Sequence, residues 1–170
     1  PAPVGELGRV AIDVPASPLM WFTGYHEAPE KTAERFSADG RWYYTGDAAK
    51  LDDDGHFYFS SRDDDVIIMS GYRIGPFDVE SVLAGHPDVL ESAVIGVPDD
   101  LAGEVLEAYV VLREGVDGGD EKESELQKWV KTEFAAHAFP RKVHFVRELP
   151  KTPSGKIQRF LLRKERSAQA

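Results

Sequence analysis

Short apolar segments, most of them ended by glycine or proline, limit much of this chain to strands and brief helices. Residues 104–112 alternate clearly, with Leu106, Ala108 and Val110 on one side of an extended segment. Because side chains alternate across a strand, this pattern predicts one face packed on a core. Further strands are predicted at residues 8–14, 41–47, 91–97 and 143–146, and on both sides of the charged residues 62–65.

One segment has the spacing of a long amphipathic helix. Residues 121–136 place Leu126, Trp129, Val130 and Phe134 at i, i+3, i+4 and i+8, which predicts a buried stripe. Trp129 is therefore expected in the core rather than as a platform for a ligand. Shorter helices are predicted at residues 28–36, 78–85 and 157–166.

Composition restricts the class of protein. Hydrophobic residues make up 42% of the chain, which favours a packed core over disorder. Cysteine is absent, which excludes disulfides and thiolate metal sites and is compatible with the cytoplasmic location that we expect. The sequence lacks an apolar run of about 20 residues, so no membrane span is predicted, and its first residues lack the features of a signal peptide.

Charge is distributed unevenly along the chain. The net charge is −10, which argues against non-specific nucleic-acid binding, yet residues 141–166 contain nine Lys/Arg and two Glu. This basic end suits a small polyanion or an acidic partner surface, and it is equally typical of a solvated basic helix.

Residues 150–159 read PKTPSGKIQR and present one lysine, Lys156, at the end of a break in regular structure. An ammonium held there can neutralise phosphate or carboxylate oxygens, although a surface turn with a solvated lysine gives the same pattern. A P-loop is excluded, because Pro150 and Ile157 stand where that motif needs glycine and Ser/Thr.

Three acidic segments precede this loop. An aromatic strand delivers Asp47 directly after Gly46, where its carboxylate can accept ribose hydroxyls or be satisfied by its own backbone. Asp52–Gly55 predicts a hairpin turn. Asp63, Asp64 and Asp65 lie in a charged connector at a candidate domain boundary. On an extended chain they would point to alternate sides, which favours a hinge over a metal site.

Four motifs occur in one order along the chain: YTGD at 44–47, SRDDD at 61–65, SGYRIGP at 70–76 and PKTPSGKI at 150–157. Together they resemble the C-terminal part of acyl-adenylate-forming ligases, which include acyl-CoA synthetases, peptide-synthetase adenylation domains and luciferases. The resemblance covers nearly the whole chain. Residues 139–146 are most similar to the medium-chain acyl-CoA synthetase branch, with acetyl-CoA synthetase close behind.

The resemblance implies an α+β fold, in which a small mixed β-sheet with packed helices forms the mobile C-terminal domain of adenylate-forming enzymes. Residues 63–170 are expected to form that domain and to carry the catalytic lysine. Residues 1–62 are expected to be the terminal β-rich segment of a truncated N-terminal AMP-binding domain. The Ser/Thr/Gly-rich phosphate loop of that larger domain has no counterpart in the chain.

The resemblance also implies roles for individual residues in the adenylation step. Asp47 is expected to hold the ribose hydroxyls of ATP with help from Arg62. Lys156 is expected to approach the acyl carboxylate and the α-phosphate as the catalytic residue. Asp64 corresponds to the hinge about which the mobile domain rotates between two half-reactions, and Arg73 is expected near the adenylate or the acyl carboxylate.

A second group of residues is implied in binding coenzyme A. The turn at Ser70, Gly71 and Tyr72 would line the pantetheine tunnel. The nucleotide of CoA would meet Phe139, Pro140 and Arg141, with Arg141 on phosphate. The chain departs from the branch in two places, with Ala102 where arginine is common and Phe139 where tyrosine is common.

The expected function is that of an AMP-forming acid–thiol ligase in fatty acid metabolism, which joins a small carboxylate to CoA through acyl-AMP. Its substrates would be the carboxylate, ATP with Mg²⁺, and CoA, with no metal held by the protein. Its partner would be its own N-terminal domain, with no nucleic acid, and the isolated chain is expected to be inactive. Two alternatives are an adenylation domain that serves a carrier protein and a standalone regulatory module that binds nucleotide or CoA without catalysis.

Overall fold

The computed structural model describes residues 2–168, and a break in packing between Asp64 and Asp65 separates two units. We refer to the residues before this break as unit 1 and to those after it as unit 2. The break lies in the charged connector that the sequence identified, although the sequence placed the boundary after residue 62.

Unit 1 is a three-stranded antiparallel sheet in the order β1-β2-β3. Its strands are β1 (Gly8–Asp13), β2 (Trp42–Leu51) and β3 (Phe57–Arg62), and one short helix, α1 (Pro29–Ala33), precedes β2. The predicted turn at Asp52–Gly55 is confirmed: Gly55 has a φ of 84° and donates its N–H to the Asp52 carbonyl at 3.1 Å. This conformation is one that glycine adopts readily.

The connector differs from the extended conformation that the sequence predicted. Asp63–Asp65 form a single 3₁₀ turn. In unit 1, the Asp63 carboxylate pairs with Arg9 at 2.7 Å. In unit 2, the Asp65 carboxylate pairs with Arg159 and Arg163. The carboxylates of Asp63 and Asp65 are therefore each engaged by arginines on either side of the break.

Unit 2 is built on a mixed sheet in which β7 is the central strand. Antiparallel neighbours run in the order β5-β4-β7-β6, and β8 pairs with β7 in parallel beyond the short contact of β4. The strands are β4 (Ile67–Met69), β5 (Tyr72–Ile74), β6 (Val89–Asp99), β7 (Gly103–Leu112) and β8 (Lys142–Phe145). This mixed sheet confirms the predicted α+β class.

Both faces of the β6–β7 pair are buried, whereas the sequence predicted one core face. On one face, Leu106, Ala108 and Val110 pack into a cluster with helices α2 (Pro76–Ala84) and α3 (Asp120–Glu133). Tyr109 and Val111 lie in a second cluster on the opposite face, where Leu162 of helix α4 (Arg159–Ala168) covers them. The sequence correctly predicted the alternation of β7. Its second face was expected to be exposed to solvent, because that face carries the charged residue Glu107.

Three helices cover this sheet: α2 (Pro76–Ala84), α3 (Asp120–Glu133) and α4 (Arg159–Ala168). Helix α3 ends earlier than predicted, and Phe134 is its C-cap and 40% exposed, so the stripe stops at Val130. Trp129 is half-buried rather than in the core as predicted, and it packs against α2 by donating Nε1–H to the Val82 carbonyl at 2.9 Å. Among residues 2–168, no helix is long and apolar enough to cross a membrane.

Helix α4 is attached to β7 through a buried carboxylate. Glu107 is 4% exposed and accepts two hydrogen bonds from Arg166, at 2.8 and 3.0 Å, and one contact from His144 Nε2 at 2.7 Å. Burial raises the pKa of Glu107, but the Arg166 and His144 contacts outweigh it, so that the pKa lies below its ordinary value. The ionised form therefore stabilises the fold.

We predict that Glu107→Gln lowers the free energy of unfolding by about 2 kcal/mol near neutral pH, because Arg166 loses its charged partner. A carboxylate with a depressed pKa stabilises the fold above the ordinary glutamate pKa of about 4.3, and this contribution is lost as pH falls through the folded value. The stability gap between wild type and variant should therefore shrink as pH falls from about 5 through the lowered pKa of Glu107 in the folded protein. Urea unfolding at several pH values measures this gap. A gap that stays constant with pH would contradict a stabilising role for ionised Glu107.

Candidate active site

Asp47 and Arg62 lie opposite each other on neighbouring strands of unit 1. Arg62 Nη1 donates to Asp47 Oδ1 at 2.8 Å. The side chain of Asp47 is 37% exposed and that of Arg62 is 44% exposed, so the carboxylate of Asp47 keeps accessible lone pairs. The structure thus brings together the two residues expected to act on one ribose, and it holds the carboxylate through Arg62 rather than through its own backbone.

Gly46 makes this arrangement possible. Its φ is 82°, and a Cβ there would lie 2.5 Å from Arg62 Nη2 and 2.6 Å from Arg35 Nη1. Two guanidinium groups therefore converge over one glycine beside Asp47. Arg35 was missed in the sequence, because it follows α1 and nothing in its local pattern indicates proximity to β2.

Residues 150–158, which we call the lysine loop, form a small closed turn. Thr152 N donates to the Lys156 carbonyl at 2.8 Å, and Gln158 N donates to the Pro150 carbonyl at 2.8 Å. The Thr152 hydroxyl accepts from Lys156 N at 3.1 Å. These bonds close the loop onto itself and hold its base narrow.

The ammonium of Lys156 takes no part in this framework. The residue is exposed, and no other described residue forms a hydrogen bond or an ion pair with its Nζ. Lys151, in contrast, is committed to both oxygens of Glu91, at 2.6 and 2.7 Å. Of the two lysines in the loop, Lys156 is the one available to an anionic ligand.

The β4–β5 hairpin turns at Ser70 and Gly71, with φ values of 50° and 84°. Two positive φ angles in a two-residue turn match the twist of a β-hairpin, and the non-glycine residue is strained. Ser70 N donates to the Ala102 carbonyl at 2.8 Å, which fixes this turn against the start of β7. Tyr72 and Arg73 follow it and are exposed.

Three of the predicted CoA residues, Tyr72, Phe139 and Arg141, belong to a basic and aromatic surface of unit 2. The Tyr72 ring stacks on His137 with centroids 4.1 Å apart. The Phe139 ring lies under two cations, Lys131 Nζ at 3.8 Å and Arg141 Cζ at 3.9 Å. We call these five residues the basic-aromatic patch.

Nearby backbone groups fix the patch. Pro140 is fully buried, and Arg141 N donates to the Leu106 carbonyl at 2.7 Å. Backbone N–H groups of Ala102 and Leu101 lower the pKa of Asp99, with a further contribution from the Arg141 charge. Lys131 and His137 were missed in the sequence, since only the chain reversal after α3 brings them to Phe139 and Tyr72.

The lysine loop and the basic-aromatic patch lie on opposite faces of the unit 2 sheet. Ile157 packs against the cluster that contains Tyr109 and Leu162. Phe139 packs against the other cluster, which contains Leu106 and Val110. The structure therefore does not bring Lys156 together with Tyr72, Phe139 and Arg141. Asp64 lies at the end of unit 1 and is exposed.

Two groups of acidic and histidine side chains have the spacing of metal ligands, namely Asp52 with Asp54 and His56, and His86 with Asp88 and Glu125. In the first, the Asp52 carboxylate already accepts the N–H groups of Asp54 and His56. In the second, Lys122 Nζ lies 2.6 Å from Asp88 and also pairs with Glu125. The hairpin turn explains why the first group lies close together, and the ion pairs of Lys122 explain the second.

Residues 78–156 match the AMP-binding enzyme C-terminal domain family. Human mitochondrial acyl-coenzyme A synthetase ACSM5 is 51% identical over 166 residues, which cover 96% of this chain and 28% of that protein.

Two solved structures share the fold. The acyl-CoA synthetase of Brucella canis is 50% identical with a TM-score of 0.62, and the match covers 99% of this chain and 30% of that one. The anthranilate CoA ligase AuaEII, solved with anthranoyl-AMP, is 34% identical with a TM-score of 0.85, over 99% of this chain and 32% of that one. The chain thus spans less than a third of the length of these relatives. Residues 78–156 thus match the AMP-binding enzyme C-terminal domain family, and over nearly all of its length the chain is similar to acyl-CoA synthetases.

Proposed function

We propose that this chain is the C-terminal portion of an ATP-dependent acyl-CoA synthetase, in which residues 1–62 end an N-terminal AMP-binding domain and residues 63–170 form the mobile domain. In the first half-reaction a carboxylate oxygen attacks the α-phosphorus of ATP, the bond to the β-phosphate oxygen breaks, and pyrophosphate leaves. In the second, the CoA thiolate attacks the acyl carbon and AMP leaves. The location of Lys156 and the basic-aromatic patch on opposite sheet faces carries this proposal.

The location of Lys156 and the basic-aromatic patch on opposite faces of the unit 2 sheet fits a ligase that catalyses two half-reactions. One orientation of unit 2 can turn Lys156 toward the adenylate, and another can turn Tyr72 and Arg141 toward the same centre. The exposed connector residue Asp64 is the proposed pivot. A module that binds a single ligand in one orientation does not require both surfaces.

In the adenylation step, Lys156 would stabilise negative charge that develops on the α-phosphate and the carboxylate. Such a transfer depends mostly on positioning and electrostatic stabilisation, which suits an ammonium with no competing partner. Asp47, held by Arg62, would accept the ribose hydroxyls, and Mg²⁺ would enter bound to ATP. Arg73 is exposed after the β4–β5 turn and would lie near the adenylate.

In the thioester step, the Ser70–Gly71–Tyr72 turn would line the pantetheine tunnel. The aromatic rings of Tyr72 and Phe139 and the nearby cations offer stacking and phosphate contacts for the CoA nucleotide. Ala102 lacks the side-chain cation common in the branch, and Arg141 beside Phe139 would supply one phosphate contact. The cytoplasmic location stays a prediction, and the mitochondrial relative makes that organelle the alternative.

We predict that Lys156→Ala, in the intact protein that carries this chain, slows acyl-AMP formation by about 10²–10³-fold. Thioester formation from supplied acyl-AMP should stay within about twofold of wild type, because Lys156 acts only in adenylation. Single-turnover assays of each half-reaction measure both steps, with exposed Lys164→Ala as the control. An equal loss in both half-reactions would refute the assigned role.

The acceptor can be tested through Arg141. Arg141→Ala should raise KM for CoA about tenfold, since a hydrogen bond to a charged group contributes about 1.5–3 kcal/mol. Pantetheine lacks the nucleotide, so its KM should not change, and exposed Arg147→Ala serves as the control. An unchanged KM for CoA would favour an enzyme that transfers the acyl group to a carrier protein.

The purified 170-residue chain should be inactive by itself. Adenylation needs the phosphate loop and the acyl pocket, and the phosphate loop has no counterpart in this sequence. A coupled assay for CoA-dependent AMP formation, run beside an intact synthetase, measures this. Robust AMP formation by the isolated chain would show that its own residues suffice for the reaction.

A further inference from the structure

Four charged side chains form one network at the start of α4. Arg159 donates two hydrogen bonds from Nη2 to Glu80, at 2.7 and 2.9 Å. Its Nη1 lies 3.3 Å from Asp65, and Arg163 donates to the same carboxylate at 2.8 Å. The network therefore joins α4 to α2 and to the first residue of unit 2.

This network is largely removed from water and balanced in charge. The side chains of Glu80, Asp65 and Arg159 are only 10%, 12% and 19% exposed. Glu80 also accepts the backbone N–H of Val94 at 2.8 Å, which ties it to the central sheet. Each buried charge is thus paired, and loss of one member leaves another uncompensated.

The position of Arg159 relates this network to Lys156. Arg159 is the first residue of α4 and directly follows Gln158, whose N–H closes the lysine loop on Pro150. At the other end of the loop, Lys151 is held by Glu91 of β6. Both ends of the loop are therefore fixed to the sheet or to α2 by ion pairs, while Lys156 between them stays exposed.

We propose that Arg159 and Glu80 are positioning residues that hold the lysine loop so that Lys156 reaches its reacting atoms in a defined geometry. The proposal rests on the ligase function proposed above. Lysine has a long flexible stem, so its placement depends on the loop that carries it. A displacement of about 1 Å in a positioned group can cost about 10²-fold in rate, which makes the fixed base of the loop functionally important.

The same helix offers a matched control. Arg166 also forms a bidentate pair with a buried carboxylate, Glu107, but it lies two turns further along α4 from the lysine loop. Arg166→Gln and Arg159→Gln should both lower the thermal stability of the fold. Only the Arg159 change should affect the lysine loop.

The first test measures hydrogen exchange in the 170-residue chain and does not depend on catalysis. In Arg159→Gln, a peptide covering residues 150–158 should exchange at least about tenfold faster than in wild type, whereas Arg166→Gln should leave it within about twofold. Arg159→Lys retains the charge but loses the planar fork, so it keeps the variant folded and should still loosen the loop. Equal exchange in the Arg159 and Arg166 variants would overturn the proposal.

The second test uses the intact protein that carries this chain. Arg159→Lys should lower kcat for acyl-AMP formation about tenfold or more, leave KM for ATP within about twofold, and spare thioester formation from supplied acyl-AMP. Arg166→Gln should retain adenylation. If Arg166→Gln loses adenylation equally, the network contributes only stability and the proposal fails. If wild type forms no acyl-AMP, the ligase function fails instead, and the exchange result still decides whether Arg159 fixes the loop.

Discussion

The packing of α4 over the second face of the β6–β7 pair is the interaction on which unit 2 depends. Without Leu162 and its neighbours, Tyr109 and Val111 would be exposed on that face. The buried carboxylates Glu80 and Glu107 receive arginines from the two ends of α4 and so fix its direction. The helix that completes the core also begins where the lysine loop ends, so core packing and the position of Lys156 are linked.

Much of the fold follows from local patterns that act over a few residues. The alternation of β7, the turn at Asp52–Gly55 and the stripe of Leu126 and Val130 each predict their own structure. Residues Glu107 and Phe134 were misjudged, because their environments are set by distant elements. Glu107 can be buried because Arg166, 59 positions later, and His144 both contact its carboxylate, whereas a glutamate in an alternating strand otherwise indicates a solvent face.

The residues of the candidate site also fall into those that local sequence patterns identified and those that distant contacts determine. The motif residues Asp47, Lys156 and Tyr72 could be identified from the sequence because fixed spacing carries the resemblance. Arg35, Lys131 and His137 could not, since each reaches its partner only after the chain reverses direction. Long-range contacts of this kind leave no trace in local spacing, so the cations around a motif are harder to find than the motif itself.

The close approach of two arginines at Gly46 links three positions that are far apart in the chain. Any side chain at position 46 would displace the guanidinium groups of Arg35 and Arg62, and moving Arg62 would release the Asp47 carboxylate. Because these guanidinium groups are the ends of flexible side chains, the fold can accommodate their displacement, and the consequence of a substitution at position 46 falls on the placement of Asp47. Positions 35, 46 and 62 therefore act as one unit in setting where that carboxylate lies.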